Sequence, residues 1–213
     1  MLKSPVRHRH RSKNAQVKRI SDHLMLPEGL LQANAPVSQR CILHGCEEPM
    51  ESGDLWSGTV IAPLGRWDEP DLASLFLRLD TPSRVSRFGS VTSDAALVAH
   101  ARRALADADW IGAAFIDVGL CAVVETYTLG SQAPSIAEAA FVVDPRWRRR
   151  GIATALLRAC VEWARGSGIE TLQMVFSRSN WPMRRLARKG TASFRILDEE
   201  ISADICVADG VPR

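Results

Sequence analysis

From Gly58 onward, short apolar runs alternate with stretches whose apolar residues recur every three or four positions, and these two periods place the elements. Residues 59–62 (Thr-Val-Ile-Ala) predict a strand. Residues 71–79 set Leu72, Leu75, Phe76 and Leu79 on one face of a helix. Ser93 is a candidate N-cap for a second helix, which buries Leu97, Val98, Ala101 and Leu105. Strands follow at 110–117 and 120–129, joined by a tight Val118-Gly119 turn. After a loop at 130–134 comes a further strand at 136–143. A helix over 149–165 turns Ile152, Leu156, Cys160, Val161 and Ala164 inward, and Gly166 and Gly168 end it. Then come a strand at 171–177, a helix at 182–189, and a hairpin of strands 194–197 and 201–207 around Asp198-Glu199-Glu200. The order β-α-α-β-β-β-α-β-α-β-β has no internal repeat and carries a strand-helix-strand crossover in its middle. It implies an α/β (α+β) fold with a mixed sheet flanked by helices.

Residues 1–55 lack such periodicity and are rich in His, Arg, Ser, Pro and Gly, so they are expected to form a poorly ordered basic leader to a domain at 56–213. Their RHRHR segment supports two readings. One is a phosphate or nucleic-acid contact, or an organelle presequence; the other is a solvated tail. His8 and His10 have a metal-compatible spacing that tails of this kind seldom use.

The net charge of +3 hides a partition. Seven Lys/Arg and no acid fall in residues 1–20, and eleven Lys/Arg face only Glu162 and Glu170 in residues 145–190. The remainder is acidic, with nine bases against twenty-two acids. A basic patch on an acidic body fits a local anionic ligand better than a nucleic acid gripped along its length. No apolar run approaches the ~18 residues of a membrane span, and charged residues and Pro27 interrupt the stretch where a secretory h-region would lie. Five cysteines at scattered spacings suggest neither a disulfide framework nor a metal site, so a reducing cytoplasm is expected.

The chemistry concentrates at residues 141–157. A strand stops at Pro145, a basic loop follows, and Gly151 opens a helix whose first turn holds small or flexible residues. The N–H groups of a helix's first turn lack intrahelical acceptors and carry partial positive charge, so they bind phosphate oxygens. Gly151 and Ala153 let the backbone approach such a ligand, and Arg148, Arg149 and Arg150 surround it with charge. The segment has the properties of a pyrophosphate cradle.

Arg148-x-x-Gly151-x-Ala153, preceded by Val-x-Pro-x-x-Arg-Arg and followed by Ala-Leu-Leu, resembles the R/Q-x-x-G-x-G/A motif of the GNAT family of N-acetyltransferases, and the element order is similar to that family's. The runs Leu77-x-Leu79-x-x-x-Ser83-Arg84-x-x-Arg87-Phe88, Ala137-Glu138-Ala-Ala-Phe-Val-Val143 and Met183-x-x-Leu-Ala-Arg-Lys189 resemble the acetyltransferase domains of bacterial protein-lysine acetyltransferases. The resemblance spans about residues 58–207. It implies a mixed, mostly antiparallel sheet with a central β-α-β core that binds acetyl-CoA, the acyl donor, with no metal. The pyrophosphate would lie on residues 148–154, including Ile152 and Thr154. The pantetheine would run beside Phe141, Val142 and Val143, where the strand parts from its neighbour. Asn180 matches a position that contacts the pantetheine, and it also suits an N-cap.

The resemblance further implies an amine acceptor, a protein lysine or a small amine, attacking the thioester directly in a ternary complex. An ammonium must first lose a proton, and Glu138 matches the glutamate that acts as base, with Glu125 the fallback. Two departures stand out. Ala187 occupies the place where many members carry a tyrosine acid, the chain's one tyrosine being Tyr127, and Lys189-Gly-Thr-Ala-Ser-Phe194 replaces a tighter turn. Cys160 reads as core, and Trp147 as a loop-packing or adenine-stacking residue. The alternatives are a non-catalytic CoA-sensing module and a nucleic-acid binder. The second lacks aromatics interleaved with its charges. Oligomeric state is not specified by the sequence.

Overall fold

The computed structural model describes residues 58–117, 119–130 and 135–212. The expected leader, its histidines, Cys41, Cys46, Val118 of the tight turn and most of the 130–134 loop lie outside them. Strands β1 (Thr59–Pro63), β2 (Trp110–Ile116), β3 (Gly119–Leu129), β4 (Ile136–Val143), β5 (Thr171–Ser177), β6 (Ser193–Leu197) and β7 (Glu200–Cys206) form one sheet in the order β1-β2-β3-β4-β5-β7-β6. All neighbours are antiparallel except β4 and β5. The helices are α1 (Glu69–Leu77), α2 (Thr81–Phe88), α3 (Asp94–Asp107), α4 (Ile152–Gly166) and α5 (Trp181–Lys189).

Strand alternation sends side chains to two cores. On one face Ile111, Ala113, Phe115, Val123 and Val142 meet Leu72, Leu75 and Phe76 of α1 and Leu97, Ala101 and Ala104 of α3. On the other, Ala137, Ala139, Phe141, Leu172 and Met174 meet Ile152, Leu156, Cys160 and Ala164 of α4 and Leu186 and Ala187 of α5. Cys160 is fully buried and its thiol is pushed up to about 12 by burial, in keeping with a core role.

Three expectations shift. Residues 81–88 form a helix that periodicity does not announce, because six of its eight positions are polar or Pro; Asp80 caps it by accepting from the Ser83 N–H at 3.0 Å, and Gly89 ends it at φ 75°. Helix α4 begins at Ile152 and not at 149, because Arg149 (φ 62°) and Gly151 (φ 78°) are left-handed and cannot continue a helix. Between β4 and that loop lies a 3-10 turn at Pro145–Trp147. The bounds of β4 and β5 are those the sequence predicts.

Candidate active site

The β4–β5 pairing is parallel and brief, running from Ile136–Thr171 to Glu138–Gln173. Beyond Glu138 the strands part while β4 stays paired with β3 through Val143–Ala122. Backbone along residues 139–143 is therefore left facing a gap in the sheet. At its end the chain turns through the basic loop into α4. The Thr154 and Ala155 N–H groups donate to the Gly151 carbonyl at 2.9 and 3.0 Å, so those of Ile152 and Ala153 precede the first intrahelical acceptors. The split strand thus offers backbone groups without a β5 partner, and it runs into a glycine-initiated helix N-terminus of the kind that binds anions.

The arginines of the loop divide their work. Arg148 donates to the Val143 carbonyl at 3.2 Å and to Ser83 Oγ at 2.6 Å, tying α2 to the end of β4. Arg150 lies 4.8 Å over the Trp147 ring, so that indole face is covered by a guanidinium. Arg149 is exposed. Asp144, 1% exposed, takes hydrogen bonds from Arg146 and Arg78; burial opposes its charge, but those bonds hold its carboxyl well below the usual range. The loop is thus pinned at Asp144, which also takes the Arg146 N–H on its carboxylate and the Trp147 N–H on its carbonyl.

Asn180 is the N-cap that its position suggests. Its Oδ1 accepts from the Met183 N–H at 3.2 Å, capping α5, and its Nδ2 donates to Ser86 Oγ of α2 at 2.8 Å. Lys189, which motif reasoning used only as a landmark, places Nζ 3.2 Å from Thr154 Oγ1 on the first turn of α4. It adds a cation to the cradle, and its distance from residue 154 in sequence concealed this. Ala187 is fully buried in the α4–α5 core, so that position holds no acid.

Glu138 is half-buried on β4 at the last pair before the split, opposite Tyr127 on β3 and Gln173 on β5. Glu125 is different in kind. It is fully buried and ringed by donors: His100 Nε2 at 3.0 and 3.2 Å, Arg87 at 2.9 Å, and the Tyr127 hydroxyl at 2.8 Å. Burial pushes its carboxyl up, but the His100 hydrogen bond, the Arg87 guanidinium and Tyr127 outweigh it and hold the group below the ordinary glutamate range. The rings of Phe76 and Phe88 close over His100 at centroid distances of 5.3 and 5.1 Å. Sequence reasoning named Glu125 without its partners, which come from α2 and α3. Its oxygens are committed, whereas Glu138 sits at the register pair where β4 and β5 part. Among the described residues no group of His, Cys, Asp and Glu is arranged to hold a metal ion.

The fold and this cradle define an acyl-CoA-dependent transferase. A sequence model of the acetyltransferase (GNAT) family matches residues 76–191, more than half of the chain, and the chain belongs to that family. The activity that goes with the family is transfer of an acetyl group from acetyl-CoA to an amine. In fold the chain is similar to the GNAT domain of S. lividans PAT, with a TM-score of 0.60 and 22% identity over 68% of this chain and 89% of that one. It is similar to the ribosomal-protein-S5-alanine acetyltransferase from Vibrio fischeri, with a TM-score of 0.56 and 11% identity over 74% and 97% of the two chains. The PaiA N-acetyltransferase from Thermoplasma acidophilum in complex with coenzyme A gives a TM-score of 0.55 and 14% identity over 70% and 99%. No curated protein matches the sequence.

Proposed function

We propose that this N-acetyltransferase acts on primary amines of the lysine type, with Glu138 as the base. The observation that carries the reading is the position of Glu138, a half-buried carboxylate at the mouth of the β4–β5 split, four residues before Val142. The cradle at 148–154 holds the donor's pyrophosphate, with Ile152 and Ala153 giving backbone N–H groups and Thr154 and Lys189 giving side chains. The pantetheine replaces the missing strand partner along Phe141, Val142 and Val143, and Asn180 stands on the far side. Glu138 takes the proton from the acceptor ammonium, directly or through water. The free amine adds to the thioester carbonyl, whose developing oxyanion is stabilised by a backbone N–H at Val142 or Val143. The nitrogen of the intermediate gives its second proton to solvent as the C–S bond breaks, and the CoA thiolate leaves, taking a proton from solvent, since Ala187 supplies none. On this reading catalysis belongs to the domain at 56–213, to which residues 1–55 are a leader in sequence. The five scattered cysteines suit a cytoplasmic setting; no described helix is long and apolar enough to cross a membrane.

Glu138→Gln keeps size and removes basicity. It should lower kcat about 100-fold while acetyl-CoA affinity stays within about twofold. Full activity in that variant would return Glu138 to a structural role and leave Glu125, a water or no dedicated group as the base.

A further inference from the structure

Beside Glu138 stands the chain's one tyrosine. Tyr127 and Glu138 are directly opposed on the antiparallel β3–β4 ladder and share a face, which sets their Cβ atoms about 4.5–5.5 Å apart. Tyr127 is half-buried, and its hydroxyl is 2.8 Å from Glu125 Oε2. A phenol has one proton and two lone pairs, and an ionised carboxylate can only accept. The direction of that bond is therefore forced: the Tyr127 proton points to Glu125, and the remaining capacity of its oxygen is to accept. Arg87 and His100 keep Glu125 ionised and fixed, so they fix the phenol too. The same face continues across the sheet through Gln173, which pairs with Glu138, and Asp204, which pairs with Gln173. Gln173 Nε2 donates to Asp204 Oδ1 at 3.1 Å, and this spends an amide proton on the carboxylate and leaves the amide oxygen as its other end. Asp204 is also held by Arg195 at 2.7 Å and Ser202 at 3.0 Å. The row thus offers the Tyr127 oxygen, the Glu138 carboxylate and the Gln173 amide oxygen as acceptors, a set that suits a cation bearing several N–H groups.

We propose that Tyr127 is the residue that receives the acceptor ammonium, its oxygen accepting one N–H while Glu138 takes another. Glu125 is the positioning residue that holds the phenol in this acceptor-only state. This inference rests on the reading of Glu138 as the base on the acceptor side, and it assigns the selectivity for charged amines to a residue that does no proton transfer. It also gives a reason for a buried carboxylate with three side-chain donors next to a site that needs only one base.

The test uses the full chain and two acceptors: n-butylamine, which is a lysine side chain without its backbone and is charged at neutral pH, and hydroxylamine, which is uncharged there. Thiol release from acetyl-CoA is followed for the parent and for Tyr127→Phe, Glu125→Gln and Glu138→Gln, with a melting curve for each. Tyr127→Phe should raise the KM for n-butylamine about tenfold and lower the butylamine-to-hydroxylamine ratio of kcat/KM by a similar factor, with the acetyl-CoA KM within about twofold of the parent. Glu125→Gln should show the same split in smaller measure, because an amide oxygen still accepts from the phenol. A butylamine KM unchanged in Tyr127→Phe, or an equal loss toward both acceptors, overturns the assignment. So does a parent enzyme that n-butylamine fails to accelerate, and CoA titration of the same samples then decides whether the donor site stands. If Glu138→Gln keeps its rate while Tyr127→Phe shows the split, the reading of Glu138 falls and that of Tyr127 remains.

Discussion

The cradle makes a prediction whose size follows from geometry. Gly151 caps α4 at φ 78° and ψ −13°, a left-handed conformation that asparagine and aspartate tolerate better than other non-glycine residues. Gly151→Asn and Gly151→Asp therefore carry nearly the same backbone cost and the same volume, and they differ by one charge. At about 5 Å from a phosphate charge and an effective dielectric near 20, that charge costs about 3 kcal/mol, more than a hundredfold in affinity. Both variants should lose a similar amount of stability, on the order of 1–2 kcal/mol, or several degrees in Tm for a domain of this size. Calorimetric titration with CoA at fixed salt measures the difference directly, and it should shrink as salt is raised. If the two variants bind CoA within about threefold of each other, the pyrophosphate does not lie at residue 151 and the placement of the donor is wrong.

Three further outcomes are expected. Lys189→Met should weaken CoA binding about fivefold and flatten its salt dependence, because the Nζ beside Thr154 is lost from the phosphate end; titration at two salt concentrations checks this. Acid should destabilise the domain through Glu125 and Asp144. Both carboxyls are held below their ordinary range when folded, so their stabilisation is complete above a pH of about 4 and drains away as pH falls through the ordinary range toward the folded values. Glu125→Gln should lower Tm at neutral pH, and its melting curves should depend less on pH below about 5 than those of the parent; parallel slopes would refute the account. Removal of residues 1–55 should leave donor affinity and turnover within about twofold, and a loss of either would place the leader in the catalytic machinery.

Much of the donor side is legible in the sequence because its signals are local. Residues 136–143 and 171–177 are apolar and β-rich between clear breaks, so β4 and β5 are read to the residue. The cradle is a contiguous motif, although the left-handed Arg149 delays the helix by a turn that spacing does not reveal. The acceptor side is hidden because its parts are distant. Arg87, His100 and Glu125 meet only once α2 and α3 are folded onto β3, and a polar α2 gives no apolar period to find. Strand order is hidden for a similar reason: the 194–207 hairpin is plain, but its second strand, and not its first, pairs with β5.

The split between β4 and β5 also bears on how the domain holds together. Only three register pairs join the four-stranded half of the sheet to the three-stranded half, and α4 packs across both. On the proposed placement, a donor in the gap would act as an eighth strand, one that is present in proportion to its concentration. Because the unfolded chain offers no such gap, occupancy adds RT ln(1 + [donor]/Kd) to the unfolding free energy, about 2.7 kcal/mol at a hundred times Kd. Acetyl-CoA is then a structural ligand as well as a substrate, and amide exchange along residues 139–143 should slow as it is added.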